Sequence, residues 1–219
     1  MSEIIRQCSN SLCRFRFPAP ATAELGQICP RCGSPAPMVA TIRNADNDNP
    51  RSSQPPPGPR VEVLLDNIRS TFNVGAMFRT ADGAGLQRLH LCGLTPTPEH
   101  PKVAKTALGA EHAVPWRYWP NALDAAEDAQ QRGLHLWALE VSANATSLFE
   151  IGPLLHPQRP ILLIVGNEVS GVDPDLLARS ERCIWIPMQG YKRSLNVAIA
   201  FGVIAYFLRY AAQQLDTNQ

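Results

Sequence analysis

Polar side chains stand at three points of this sequence where an apolar run ends or an apolar helix is expected to begin. The residues concerned are Asn73 and Arg79, then Gly166 and Glu168, then Ser194 and Asn196. A glycine lets a ligand approach the backbone, a carboxylate accepts hydrogen bonds, and a guanidinium binds anions. Ligands in open parallel sheets bind at the carboxyl ends of the strands, so these residues indicate an α/β enzyme with its site there.

The first of these points lies in a predicted strand–helix–strand unit. Residues 61–65 and 86–92 predict strands, and Asn73 is the expected cap of a helix that ends at Gly83 and Gly85. Two strands joined by a helix within about thirty residues are typical of a βαβ unit, which favours a parallel sheet. Arg79 is less than two helical turns beyond Asn73, so we expect both side chains to be reachable from the strand ends.

The third point precedes the most apolar stretch of the chain. Residues 195–208 carry no charge, and their apolar side chains follow the i, i+3, i+4 spacing of a helix. We expect Ser194 to cap this helix, which leaves the amides of residues 195–197 free to bind a ligand. Because the segment is apolar almost all round, it is expected to be buried on several sides.

The rest of this region alternates strands and helices. Strands are predicted at residues 134–139, 161–165 and 182–186, and helices at 121–132 and 173–179. Residues 93–115 are expected to form a long connection at the edge of the sheet. In it, Lys102 and Lys105 share one helical face, and they either contact phosphate or lie in a solvated turn.

Four cysteines near the start of the chain have the arrangement of a metal site. Cys8 and Cys13 form one close pair, and Cys29 and Cys32 form a second pair in a C-P-R-C-G knuckle. Two such pairs can surround one tetrahedral zinc ion, and metal binding would then also provide the folding energy of so small a segment. Four thiols in a mobile tail, or a ribbon that has lost its metal, are the alternatives.

Charge and composition separate this segment from the rest of the chain. Residues 1–60 have a net charge of +3 and the remainder −2. Cations and aromatic rings surround the cysteines, namely Arg6, Arg14, Arg16, Arg31, Phe15 and Phe17. Such a mixture suits phosphate contact and base stacking, although the two rings could also form a small core. We therefore predict a zinc-ribbon-like segment at 1–43, a Pro-rich linker at 44–59 and the main domain at 60–214.

The expected compartment follows from what the sequence lacks. The first residues have no apolar signal-peptide region, and the longest uncharged apolar run is 14 residues, below the roughly 20 that span a bilayer. We expect a cytoplasmic protein, in which the six cysteines are reduced thiols or metal ligands.

Three motifs in the main domain resemble those of the SpoU (TrmH-like) family of RNA ribose 2′-O-methyltransferases, in the SPOUT class. The motifs are residues 73–81 (NVGAMFRTA), 164–172 (IVGNEVSGV), and 186–190 (IPMQG) with 194–198 (SLNVA). The resemblance covers roughly residues 60–212. It implies a parallel-sheet α/β knot with a C-terminal trefoil, S-adenosylmethionine as methyl donor, and a homodimer whose two subunits complete each active site.

The resemblance also implies a role for individual residues. The cofactor would be bound by Leu139 or Glu140, Gly166, Glu168, Ile186, Met188, Ser194 and Leu195. The family's catalytic positions match Asn73, Arg79, Glu168, Ser194 and Asn196. Apolar side chains suit the adenine, while glycine and helix-start amides suit hydrogen bonding to its edges and to the ribose.

The arginine in the first motif is the family's proposed base. A guanidinium is effectively always protonated, so we prefer Arg79 as an organiser of the phosphate next to the reacting hydroxyl. The alternative role for Arg79 is a buried ion pair with Glu168, and both roles can hold together. The substrate is tRNA or rRNA; a non-catalytic RNA-binding protein and methylation of a base are the alternatives.

Overall fold

The computed structural model describes residues 3–21, 26–42 and 58–211 of the chain. By its internal contacts the chain divides into two units, Met1–Ser53 and Gln54–Gln219. Of the linker predicted at residues 44–59, only Gly58 and Pro59 lie inside the described residues.

The smaller unit is a three-stranded antiparallel sheet with a cysteine cluster beside it. Its strands are β1 (Glu3–Gln7), β2 (Arg16–Pro20) and β3 (Met38–Thr41), in the spatial order β2-β1-β3. The buried cluster consists of Cys8, Cys29 and Ala36, with Cys13 and Phe17 packed against it. So little apolar material does not by itself stabilise a fold of this size, and the cysteines occupy the place of a hydrophobic core.

The larger unit is built on a seven-stranded sheet in which every strand pair is parallel. The strands are β4 (Val61–Asp66), β5 (Arg88–Cys92), β6 (Trp116–Trp119), β7 (His135–Leu139), β8 (Thr146–Ser147), β9 (Ile161–Val165) and β10 (Arg182–Trp185). Their spatial order is β6-β5-β4-β9-β7-β10-β8. The predicted α/β class and parallel sheet are confirmed.

Helices cover both faces of this sheet. They are α1 (Thr71–Ala84), α2 (Pro101–Ala107), α3 (Ala110–Ala113), α4 (Ala122–Gln131), α5 (Pro174–Arg179) and α6 (Val197–Tyr210). Two short 3-10 helices, Leu148–Glu150 and Gly152–Leu154, precede β9. Among the described residues, no helix is long and apolar enough to cross a membrane.

The central strands are apolar on both faces, so each face has its own core. Alternate residues of β4 and β9 pack with α1, α2 and α6 on one side, and with α4 and α5 on the other. In β9, for example, Leu163 belongs to the first core and Leu162 and Ile164 to the second. This double coverage explains why the strand reads as a continuous apolar run.

Two helices begin at a different residue from the predicted one. Ser70 caps α1 by accepting a hydrogen bond from the backbone N–H of Asn73, so Asn73 lies inside the first turn. Asn196 caps α6, and Ser194 lies before the helix. Both predicted caps were wrong because a second good capping residue lies two or three positions away, and only one of the two side chains reaches the free amides.

Other differences between the prediction and the structure lie in partly exposed segments. The predicted connection at residues 93–115 contains α2 and α3, and it leads into the edge strand β6, which the sequence did not predict. The two-residue strand β8 was missed as well. Helix α6 is not covered on all sides, since Ile199, Val203, Tyr206 and Tyr210 form an exposed row on it.

A buried ion-pair network lies on the α4 side of the sheet. Arg132, directly after α4, donates two hydrogen bonds to Glu62 at 2.7 and 2.8 Å. The indole N–H of Trp119 donates to Nδ1 of His90, so Nε2 carries the other ring hydrogen and donates to Glu62 at 2.8 Å. Burial alone would raise the pKa of Glu62, but the bonds from His90 and Arg132 outweigh it and lower that pKa to about 2.

Glu62→Gln is expected to lower the free energy of unfolding by about 3 kcal/mol at pH 7, because it leaves Arg132 without its buried partner. Since the folded-state pKa of Glu62 lies below its unfolded value, the stabilisation is complete above about pH 5 and disappears as the pH falls towards about 2. Urea unfolding of both proteins from pH 7 to pH 3 measures this. Asp128→Asn removes the exposed i, i+4 partner of Arg132 and should cost about 0.5 kcal/mol or less. A constant difference between Glu62→Gln and the unmodified protein across this pH range would contradict the assignment.

Candidate active site

A cavity of about 450 Å³ opens at the carboxyl ends of β7, β9 and β10. All the residues predicted to bind a cofactor line it, namely Leu139, Gly166, Glu168, Ile186, Met188, Ser194 and Leu195. They come from three strand ends and from the segment before α6, which are far apart in the sequence. The parallel sheet brings them together because all its strands end at the same edge.

The segment 166–173 forms a tight loop after β9. Asn167 and Gly171 exchange two backbone hydrogen bonds of 3.0 Å, and the side-chain oxygen of Asn167 accepts from the amides of Val169 and Ser170. A Cβ atom on Gly166 would overlap the backbone of Gly171 and Val172, so the close approach requires glycine. The loop therefore presents a rigid backbone to the cavity.

Glu168, in this loop, binds the start of α1. It accepts hydrogen bonds from the backbone amides of Arg69 (3.1 Å) and Ser70 (3.3 Å) and from Nδ2 of Asn73 (2.9 Å). Burial alone would raise the pKa of Glu168, but these bonds, with that of Arg69 the strongest, lower it. The side chain is thus a carboxylate bound at a helix N-terminus, and it is a poor proton acceptor.

The same amide of Asn73 joins the site to α6. Asn196 donates from Nδ2 to Oδ1 of Asn73 at 3.3 Å, while its own Oδ1 accepts from the backbone amides of Ala198 and Ile199. The hydrogen bonds therefore run in one direction, from Asn196 to Asn73 to Glu168. We call these three residues the Asn196–Asn73–Glu168 relay. It connects the first motif, through Asn73, to the second and third motifs that line the cavity.

Two predicted site residues do not line the cavity, namely Asn73, which is joined to it through the relay, and Arg79. Arg79 is exposed on α1, two turns beyond the exposed Phe72 and on the same side of the helix. The expected ion pair between Arg79 and Glu168 was wrong: among the described residues, Glu168 is bound by backbone and side-chain amides instead. An exposed guanidinium on a helix surface is free to bind an external anion.

Three further polar residues line the cavity, two of which sequence reasoning passed over. Arg193 directly precedes Ser194, and Asn167 follows Gly166. Glu140, considered beside Leu139, lies just after β7 and accepts hydrogen bonds from the amides of Val141 (2.8 Å) and Val172 (3.0 Å). The signals available were the position of Asn167 inside the second motif and that of Arg193 directly before the 194–198 segment.

The smaller unit holds a second candidate site. The sulfur atoms of Cys8, Cys13, Cys29 and Cys32 all lie within 4.8 Å of one another. The closest pairs are Cys8–Cys32 at 3.4 Å and Cys13–Cys29 at 3.8 Å. Thiolates from two close pairs are the donor set that structural zinc prefers, so this cluster fits one tetrahedral ion.

Comparison with known proteins agrees with the geometry of the larger unit. Residues 60–206, about two thirds of the chain, match the model of the SpoU rRNA Methylase family. The chain belongs to the SpoU rRNA methylase family. The recognition of this family from the three motifs is confirmed, and the four-cysteine cluster lies outside the matched residues.

Two curated members of the SpoU family are 30% identical to this chain. One is the 23S rRNA (guanosine(2553)-2′-O)-methyltransferase of Bacillus subtilis, aligned over 186 residues, which are 84% of this chain and 64% of that protein. The other is the tRNA (guanosine(18)-2′-O)-methyltransferase of Thermus thermophilus, aligned over 148 residues, 68% of this chain and 73% of that one.

A solved structure of an rRNA methyltransferase has a similar fold. The AdoMet-bound rRNA methyltransferase of Sinorhizobium meliloti superposes with a TM-score of 0.64 at 28% identity, over 74% of this chain and 59% of that one. This chain thus spans less than two thirds of the length of the S. meliloti and B. subtilis proteins.

Proposed function

We propose that this chain is an S-adenosylmethionine-dependent methyltransferase that acts on a ribose 2′-hydroxyl of tRNA or rRNA. The observation that carries the proposal is the cavity at the ends of β7, β9 and β10, which is lined by the second and third motifs of the family and joined to the first through the hydrogen bonds of Asn73. Support comes from the S. meliloti relative, whose structure contains AdoMet, and from curated relatives named as rRNA and tRNA 2′-O-methyltransferases.

The residues of the cavity fit this cofactor. The volume of about 450 Å³ is within the range of small-molecule sites. Leu139, Ile186 and Leu195 supply apolar surface suited to the adenine, and Gly166 leaves backbone accessible for hydrogen bonds. The cofactor, when bound, supplies an electrophilic methyl group. Arg193 offers a positive group to its polar parts.

The acceptor chemistry is assigned to residues around the mouth of the cavity. A 2′-hydroxyl must lose its proton as it attacks, and it must be held in line with the methyl group. Glu168 is bound by three N–H groups and is poorly suited to accept that proton. We assign proton loss to the adjacent phosphate or to water, and Arg79 to binding that phosphate. Ser194 and Asn196 lie where the ribose would enter.

A homodimer would bring Arg79 to the site. Arg79 does not line the cavity of its own chain, so we propose that the partner subunit's Arg79 completes it. The exposed row on α6 formed by Ile199, Val203, Tyr206 and Tyr210 is the surface we assign to the dimer contact. Val197 and Ala200 of the same helix line the cavity, so a second copy bound along this row would lie beside its mouth.

The proposal also includes a knot in the larger unit, a zinc ribbon in the smaller one and a cellular location. We propose that α6 is threaded through a trefoil knot, as the resemblance implies, and that residues 60–214 form the catalytic domain. In the ribbon proposed at residues 1–43, zinc would bind the four cysteines, and the partly exposed Phe15, stacked on Phe17 at 5.7 Å, would contact RNA bases. The cytoplasm, where tRNA and rRNA are modified, is the proposed location.

Transfer of a tritiated methyl group from S-adenosylmethionine to total tRNA and, separately, to rRNA tests the activity. We expect label in one of the two pools, released after nuclease digestion as a 2′-O-methylated nucleoside. Asn196→Ala, which removes the cap of α6 and one member of the relay, is the inactive control. Label on a base would replace ribose methylation with base methylation, and binding of RNA without label would indicate a non-catalytic protein.

A further inference from the structure

Two carboxylates bind the cavity loop from the strands on either side of it. The loop at residues 166–173 follows β9, whose neighbours in the sheet are β4 and β7. Asp66, the last residue of β4, accepts a hydrogen bond from the backbone amide of Asp173 at 3.0 Å. Glu140, just after β7, accepts one from the amide of Val172 at 3.0 Å. Consecutive amides of one loop are thus held by acids on opposite sides.

The start of the same loop is held from the β4 side as well. The backbone carbonyl of Asn67 accepts a hydrogen bond of 2.6 Å from the side chain of Asn167. Asn67 has a left-handed backbone with φ of 56°, and its side chain donates to Asp66 at 2.7 Å. Residues 66 and 67 therefore fix both ends of the loop that carries Glu168.

Asp66 is unusual because it is buried without a cation. Its exposed fraction is 2%, and among the described residues its partners are the side-chain amide of Asn67 and the backbone amide of Asp173. Burial raises the pKa of this carboxyl. An ionised acid is costly to bury, so a carboxylate retained here indicates that its two hydrogen bonds have a role in holding the loop.

The second carboxylate, Glu140, is packed closely against the loop. Glu140 lines the cavity, and a Cβ atom on Gly171 would overlap its Oε2. Gly171 also has φ of 75°, which a residue with a side chain rarely adopts. The loop thus turns at Gly171, which packs against Glu140, while Asp66 does not line the cavity and binds the loop from the β4 side.

We propose that Asp66 and Glu140 are positioning residues for cofactor binding, which act by clamping the loop at residues 166–173 between β4 and β7. The inference rests on the proposed function, since it takes the cavity to bind S-adenosylmethionine. The clamp holds Gly166 against the cavity and Glu168 against the start of α1. Loosening it is expected to weaken cofactor binding without removing any group that must touch the reacting atoms.

Asp66→Asn and Glu140→Gln test the clamp, with binding of S-adenosylmethionine measured by calorimetry and methyl transfer measured as kcat and KM. The side-chain amide that replaces each carboxylate keeps one acceptor oxygen and loses the other. We therefore expect the Kd for S-adenosylmethionine to rise by about tenfold in each variant. Glu150→Gln, which changes an exposed carboxyl outside the cavity, is the matched control and should leave Kd unchanged.

Two further measurements separate positioning from general stability. Both variants should speed hydrogen exchange at the amides of Val172 and Asp173 while the thermal midpoint shifts by only a few degrees, and saturating cofactor should restore most of kcat. If Asp66→Asn fails to fold, Glu140→Gln alone decides the matter, because its side chain is only half-buried. Unchanged Kd in a folded Glu140→Gln protein would overturn the clamp. Failure of the unmodified protein to bind S-adenosylmethionine would instead overturn the proposed function, and the clamp with it.

Discussion

Arg79→Ala is expected to lower methyl transfer by at least about a hundredfold, the size of effect seen when one preorganised charge contact at a reacting centre is lost. The Kd for S-adenosylmethionine should stay within about twofold, because Arg79 does not line the cavity of its own chain. Stability should hardly change, since the side chain is exposed. The rate of methyl transfer is measured in a single turnover on the RNA pool that accepts the label. The Kd for S-adenosylmethionine is measured by calorimetry.

Arg159→Ala is the matched control for this experiment. It removes another exposed guanidinium, one that lies before β9 at the opposite, amino end of the sheet. This variant should retain full methyl transfer. An active Arg79→Ala protein would remove Arg79 from the proposed mechanism.

A mixture of two inactive variants tests whether Arg79 acts across the dimer. When Arg79→Ala and Ser194→Ala chains are produced together, one site in each mixed dimer would combine an intact cavity with an intact arginine from the partner. About a quarter of the unmodified activity should then return, because half of the dimers are mixed and each has one complete site. If Arg79 acts within its own chain, no mixed dimer contains a complete site and no activity returns.

Cys29→Ser is expected to unfold the smaller unit and leave the larger one folded. Cys29 is buried in a cluster whose other members are Cys8 and Ala36, so the unit has little besides metal binding to stabilise it. Structural zinc in comparable peptides supplies about 10–16 kcal/mol of apparent folding free energy. The unmodified chain should contain one zinc per molecule by elemental analysis, and the variant or a chelator should remove it and weaken RNA binding.

Cys183→Ser provides the control, because this half-buried thiol lies in β10 of the larger unit, outside the four-cysteine cluster. Its zinc content and RNA affinity should equal those of the unmodified chain. Amide spectra of the Cys29→Ser protein should lose the dispersed signals of residues 3–21 and 26–42 and keep those of residues 58–211. Zinc content unchanged by Cys29→Ser, or no zinc in the unmodified chain, would contradict the ribbon proposal.

Much of the larger unit was predictable because its central strands are buried on both faces. Strand β9 is a continuous apolar run in the sequence, β4 and β7 are mostly apolar, and α4 and α5 lie within the helices predicted at 121–132 and 173–179. The edge strand β6 (WRYW) escaped prediction because its side chains are half exposed, and its backbone pairing with β5 is decided by distant residues.

The candidate site was likewise predictable only in part. The motifs identified which residues gather at the cavity, since a parallel sheet dictates that strand ends meet. They did not identify the partners of Glu168, whose hydrogen bonds reach amides 95 to 99 residues away in the chain. Charge complementarity suggested Arg79 as its partner, but a carboxylate placed at a helix N-terminus is satisfied by backbone amides without any cation.

The direction of the Asn196–Asn73–Glu168 relay has a consequence for how this site can change over generations. Asn196 donates to Asn73 and Asn73 donates to Glu168, so aspartate at position 73 would set an acceptor against Glu168. A replacement at one of the three positions is therefore expected to disturb the hydrogen bonds of its neighbours in the relay. The three motifs, although up to 123 residues apart in the chain, are expected to tolerate change only together.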